Sequence, residues 1–326
     1  MTLDHFSGPI SHYLYQCFGF FSAAEGFFFL SGFVGMLAAR SKTDRGENSG
    51  WIRQRAFRIW KFHIATLFSI ALFAFFFLPS LQRFFTGLYE HPLSGSLLAG
   101  FLAYTPEWLD VLPLYVFLLL LGSIVFPGII RGRLKLAWGI SFGLWVCAQF
   151  SLKSQVLKIF PDWVSPGFFD LFAWQFVYFS GAAISFLWKS QNQIFFSRQE
   201  LDRFFYLSLV LCIFCFLWSH RLLPIPSPSD FWVSKEHVGA LRYLNFLAFI
   251  EVISFIVRHR PKLLDFSFCR ILGRHSLEVF TGQTICVYLW MAAPAKFQYH
   301  VPFNILAPIL CCAILFAVAR KLERNR

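Results

Sequence analysis

Long apolar runs, joined by connections alternately rich and poor in Lys and Arg, constrain this chain more than any other feature. A membrane-spanning helix needs about 20 mostly apolar residues. Candidate spans lie at 17–39, 60–79, 111–130, 134–150, 168–188, 204–219, 239–257, 275–293 and 303–319. The loops 40–61, 131–135, 189–203 and 258–274 and the tail 320–326 hold 22 of the 29 Lys and Arg residues. They alternate strictly with poor connections, so the positive-inside rule makes the basic set cytoplasmic, with the C-terminus inside.

Composition supports the same reading. Charged residues make up 14% of the chain, against roughly 25% in a soluble domain. Phe occurs 45 times, which suits a lipid-facing surface. The net charge of +12 sits beside the apolar runs. It therefore points to anionic lipid and not to nucleic acid. Six of the eight Cys lie inside apolar stretches without disulfide spacing. Cys212-x-x-Cys215 reads as a pair of small apolar residues. Residues 1–9 lack the basic and apolar regions of a signal peptide. The expected fold is all-α, a polytopic transmembrane helix bundle forming one integral-membrane domain over 1–326, with no repeat and no linker.

The N-terminus is unusual. Span 17–39 runs from outside to inside, yet no span leads to it. Residues 1–9 read like the last turns of a helix closed by Gly8-Pro9. The expectation is nine complete spans plus a partial first helix whose start is missing, with a short exposed N-terminus as the plain alternative.

Ionisable groups inside a membrane are costly and face the bundle interior, so they are the natural candidates for chemistry. Asp4 and His5 are adjacent. Glu25 lies about 22 Å from the inner face at 1.5 Å per residue. A His beside carboxylates can act as a general base; a structural His near the membrane surface is the plain alternative. Arg55 and Arg58 share a helix face, with His63 a turn or so later. Arginine forks suit the phosphates of a nucleotide-bearing acyl donor, and a positive-inside anchor is the alternative. Asp170 opens span 168–188, with Trp174 and Gln175 one turn on. Glu251 is deep in its span, and Glu278 is spaced to pair with Arg274. Gly32, Gly35 and Ala38 form a small-residue stripe for close helix packing. Nothing reads as a metal site. The outer segments 80–110 and 219–240 hold Pro, Trp and Tyr, which suit an interfacial belt and can also bind sugar.

From Phe18 to Ala39 (FGFFSAAEGFFFLSGFVGMLAA) the chain resembles the OpgC family, related to the broader acyltransferase-3 superfamily. The match is closest at Ser22-Ala23-Ala24-Glu25 and Phe29-Leu30-Ser31-Gly32. Leu3–His5, Pro113–Leu121, Phe169–Gly181 and Ile271–Phe280 follow the family order. The resemblance implies ten transmembrane helices in the bacterial inner membrane and no bound cofactor. It also implies transfer of an acyl group, succinyl in this family, from a cytoplasmic CoA thioester to a periplasmic glucan. It places His5 where a first-helix His acts in acyl transfer, with an Arg upstream that this chain does not reach. Arg55 and Arg58 match the superfamily's Arg-x-x-Arg, with Lys61 in place of the following Pro. On these terms His5, Asp4 and Glu25 are the catalytic candidates. Arg55, Arg58 and His63 are the candidates for the acyl-CoA co-substrate. Asp170, Trp174 and Gln175 are those for the sugar. A transporter or flippase of a glycan or lipid precursor is the alternative reading, weakened by the lack of inverted repeats.

Overall fold

The computed structural model describes residues 5–6, 15–190 and 198–325, with the backbone alone at 189–190 and 198–202. Asp4 lies outside them. The structure is 78% helix, and no strand occurs among the described residues. The long helices are α1 (Ala23–Asp44), α2 (Gly50–Phe77), α3 (Val111–Gly128), α4 (Leu134–Gln149), α5 (Leu171–Ser190), α6 (Arg198–Ser219), α7 (Ala240–His259), α8 (Ser276–Ala292) and α9 (Val301–Arg324). Among the described residues, six segments are long and apolar enough to cross a membrane: α1, α2, Val111–Gln149, Leu171–Trp188, α7 and α9. Among these, Val111–Gln149 is broken where Gly132 adopts φ 90°. Glycine reaches that conformation without a Cβ clash, and the basic turn it makes separates α3 from α4.

Several helices depart from the boundaries expected from hydropathy: α6 starts six residues early and α9 ends five residues late, and the departures of α1 and α2 have clear causes. α1 starts at Ala23, not 17. Ser22 caps it, with its side chain at the N3 backbone and Glu25 reaching back to the cap. Serine at the cap and glutamate three residues on satisfy two orphan N–H groups. Before it, Gly19 holds φ 120° against Asn245, and the Phe20 N–H donates to Asn245 Oδ1 at 2.8 Å. A turn set by a side chain this distant leaves no periodic signal. α2 starts ten residues earlier than expected and takes in the Arg-rich segment. Arg, Gln and Ala are good helix formers, and Ile52, Ala56, Ile59 and His63 form one buried stripe along it.

The chain folds as two compact units. The first comprises Met1–Cys17, Lys61–Leu109 and Ile256–Arg326; the second comprises Phe18–Trp60 and Asp110–Phe255. In the first, Phe6, Val287, Cys311 and Leu315 form an apolar core flanked by Trp108 and Trp290. Pro79 opens a short turn after α2, as expected for a residue without an N–H. The end of α2 displays Phe75, Phe76 and Phe77 at 54, 64 and 68% exposure, a surface suited to lipid. α8 and α9 pack together, and Arg274 pairs with Glu323.

In the second unit α1 lies parallel to α5. Phe28 meets Trp174 near their starts, and Arg40 reaches the Phe186 carbonyl near their ends. A Cβ on Gly32 would overlap the Tyr178 carbonyl oxygen, and one on Gly181 would overlap that of Phe29. The two backbones therefore touch, as small residues permit in membrane helices.

Candidate functional site

The second unit gathers its polar groups where α1, α3, α5 and α7 begin. Glu25, on the first turn of α1, is fully buried. Its Oε2 accepts from the Ser22 N–H and hydroxyl, each at 2.9 Å. Its Oε1 pairs with Nε of Arg242, on the first turn of α7, also fully buried. Arg242 Nη2 donates to Ser22 Oγ at 3.3 Å. A lone ion in this position would be strongly unfavourable, so the two charges require each other. Sequence reasoning marks Glu25 and misses Arg242. The signal is nonetheless present, since Arg242 stands at the cation-poor end of an apolar run.

A second cluster surrounds residues 234–239. Asp170, fully buried and just before α5, accepts the Phe172 N–H on Oδ1 at 2.9 Å. Its Oδ2 lies 3.1 Å from Nδ1 of His237. Burial raises the Asp170 pKa, while His237 and the Phe172 N–H pull the other way. Lys153 Nζ binds Glu236 Oε1 at 2.7 Å and the Gly167 and Phe168 carbonyls at 2.9 and 2.8 Å. Asp110 Oδ2 accepts the Phe168 N–H at 3.2 Å; burial raises its pKa. The indole of Trp145 donates to the Val238 carbonyl at 2.9 Å. Val238 is held at φ 51°, a conformation rare for a β-branched residue that costs on the order of 1–3 kcal/mol.

The expected sugar-contact residues fare differently. Asp170 belongs to this cluster. Trp174 is fully buried and donates to the carbonyls of Lys235 and Glu236 at 3.1 and 3.0 Å. Gln175 accepts the Ser141 hydroxyl at 2.6 Å and donates to the carbonyls of Ser141 and Phe172, both at 2.8 Å. These bonds tie α4 and the 234–239 segment to α5. His237, Lys153 and Glu236 escape sequence reasoning, because no local pattern links Asp170 to a residue 67 positions away.

Arg55 and Arg58 are exposed, Arg55 with its guanidinium 5.9 Å from the Tyr115 ring centre. His63 is fully buried, and neither ring nitrogen has a hydrogen-bond partner among the described residues. The structure thus sets His63 on the buried stripe of α2 and the two arginines off it, where the sequence reading puts them near one face. In the first unit, His5 packs edge-on against Trp108 with ring centres 4.9 Å apart. Trp108 itself has φ 69°.

Apolar helices around a fully shielded ion pair mark an all-helical, multi-pass membrane protein. A family model described as "OpgC protein" matches residues 1–326, the whole chain. The chain belongs to the OpgC family, and that membership implies membrane acyltransferase-like activity. No curated protein and no solved structure matches it.

Proposed function

We propose that this protein is an O-acyltransferase of the bacterial inner membrane. It moves an acyl group, succinyl in the family's reaction, from a cytoplasmic CoA thioester to hydroxyls of a periplasmic glucan or other envelope sugar. The observation that carries the reading is the family match over the full chain. In this reading all nine long helices cross the bilayer, the basic connections face the cytoplasm, and the C-terminus lies inside. His5, with Asp4 beside it, takes part in acyl transfer. Arg55 and Arg58, exposed on the basic end of α2, hold phosphates of the donor as forked cations, and His63 supports that helix from its buried side. Glu25, neutralised by Arg242, fixes the start of α1. Asp170 serves the acceptor side, with Trp174 and Gln175 fastening the helix behind it.

Donor and acceptor lie on opposite faces, and polar groups shielded from lipid supply the meeting place. Succinylation makes a neutral glucan anionic. The test replaces His5 by Ala in membrane vesicles supplied with succinyl-CoA and glucan, and measures anionic charge on the glucan. Undiminished charge removes His5 from the mechanism. Glycan flux across vesicles without any acyl donor would favour a transporter instead.

A further inference from the structure

We propose that His237, held by Asp170, is the proton acceptor of a binding site for a polyhydroxylated ligand where α5 and α7 begin. The identity of the reaction rests on the acyl-transfer reading above; the binding site does not.

The orientation of the ring is the first argument. Asp170 is fully buried, and one of its oxygens is already committed to the Phe172 N–H. The other faces His237 Nδ1 at 3.1 Å. A carboxylate at Nδ1 puts the ring proton there and leaves the Nε2 lone pair free to accept. The His237 side chain is 21% exposed, so a ligand can reach the ring. This is the arrangement of an oriented general base.

The second argument is rigidity. The His237 N–H donates to Ser234 Oγ at 3.2 Å, and its carbonyl accepts from Gln149 Nε2 at 2.7 Å. The strained Val238 follows directly. Strain kept in place by its surroundings is a mark of functional sites. The charged groups facing the ring are Asp170, Glu236, whose Oε2 lies 3.8 Å from Nε2, and Lys153 behind Glu236. Lys235 lies over the Phe169 ring and Asp110 beneath Phe168.

The third argument gives the ligand class. Phe231 and Trp232 are 49 and 51% exposed, and their carbonyls pack against Gly239, two residues beyond His237. Exposed aromatic rings on the segment that leads into His237, together with the hydrogen-bonding groups fixed around that residue, suit a sugar, which has apolar faces and a hydroxyl rim. In the reaction, a sugar hydroxyl gives its proton to His237 Nε2 as its oxygen bonds to the acyl carbon of a thioester. The C–S bond breaks, and the leaving thiolate takes up the proton from the imidazolium.

The experiment uses the full chain in detergent with a β-glucan oligosaccharide as probe. Carbethoxylation of His237 by diethyl pyrocarbonate is followed by peptide mass mapping, with and without the oligosaccharide. Protection of several-fold is expected, and no protection overturns the proposal. This arm needs no variant and no catalysis. In parallel, transfer from succinyl-CoA is measured for Asp170→Asn and Asp170→Glu. D170N is expected to lower kcat by about 100-fold with the glucan KM nearly unchanged, and D170E to restore part of the loss. A change in KM alone reduces Asp170 to a structural cap and overturns its positioning role. If the wild type transfers nothing from any thioester, the acyl-transfer reading fails, and protection of His237 still decides the site.

Discussion

Arg242 closes an ion pair with Glu25, 217 residues earlier in the chain, and both side chains are fully shielded from solvent. The pair joins the first turn of α7 to the first turn of α1 around the Ser22 cap.

Removing one partner leaves the other buried and uncompensated, at a cost of about 3–5 kcal/mol. Glu25→Ala and Arg242→Ala are each expected to lower the thermal midpoint in detergent sharply. The double substitution should cost clearly less than the sum of the two. Additive losses would show that the two charges do not depend on each other.

The contact between α1 and α5 predicts opposite results for two neighbouring glycines. Gly32→Ala drives a methyl into the Tyr178 carbonyl and should destabilise by about 1–3 kcal/mol. Gly26→Ala meets no atom within 4 Å and should be neutral or stabilising by up to about 1 kcal/mol. Equal effects on thermal unfolding would contradict the close approach.

Lys153 bonds both the Gly167–Phe168 backbone and Glu236, bridging two segments distant in sequence. Lys153→Met should free the segment 158–168 and make it cleave several times faster in limited proteolysis. Unchanged cleavage would show that the Asp110 contact suffices to hold it.

Burial raises the pKa of Asp110. An acid raised in the folded state contributes most below its ordinary pKa, and that contribution fades as pH climbs through the folded value. Asp110→Asn keeps an acceptor for the Phe168 N–H but cannot ionise. The stability of this variant relative to wild type should therefore improve as pH rises above the ordinary carboxylate range, by at most about 1.4 kcal/mol per unit, and level off above the folded value. A constant difference would show that Asp110 does not titrate differently in the folded state.

Helix positions are readable because lipid demands long apolar runs, and the turn at Gly132 falls where the basic residues place it. The capping box of Ser22 and Glu25 is readable too, since it is local. Its closure by Arg242, and the pairing of Asp170 with His237, depend on chain segments that meet only after folding. The true start of α1 is hidden for the same reason, because Asn245 sets the turn before it. The Arg-rich stretch misleads in another way: its charge suggests a loop, while its residue types favour helix and its buried side carries Ile52, Ala56 and Ile59.

The reciprocal notches at Gly32 and Gly181 work like meshed teeth. Each backbone blocks the other from sliding lengthwise, so α1 and α5 travel as one strut. Any rearrangement within the second unit that keeps this packing must pivot on other helix pairs.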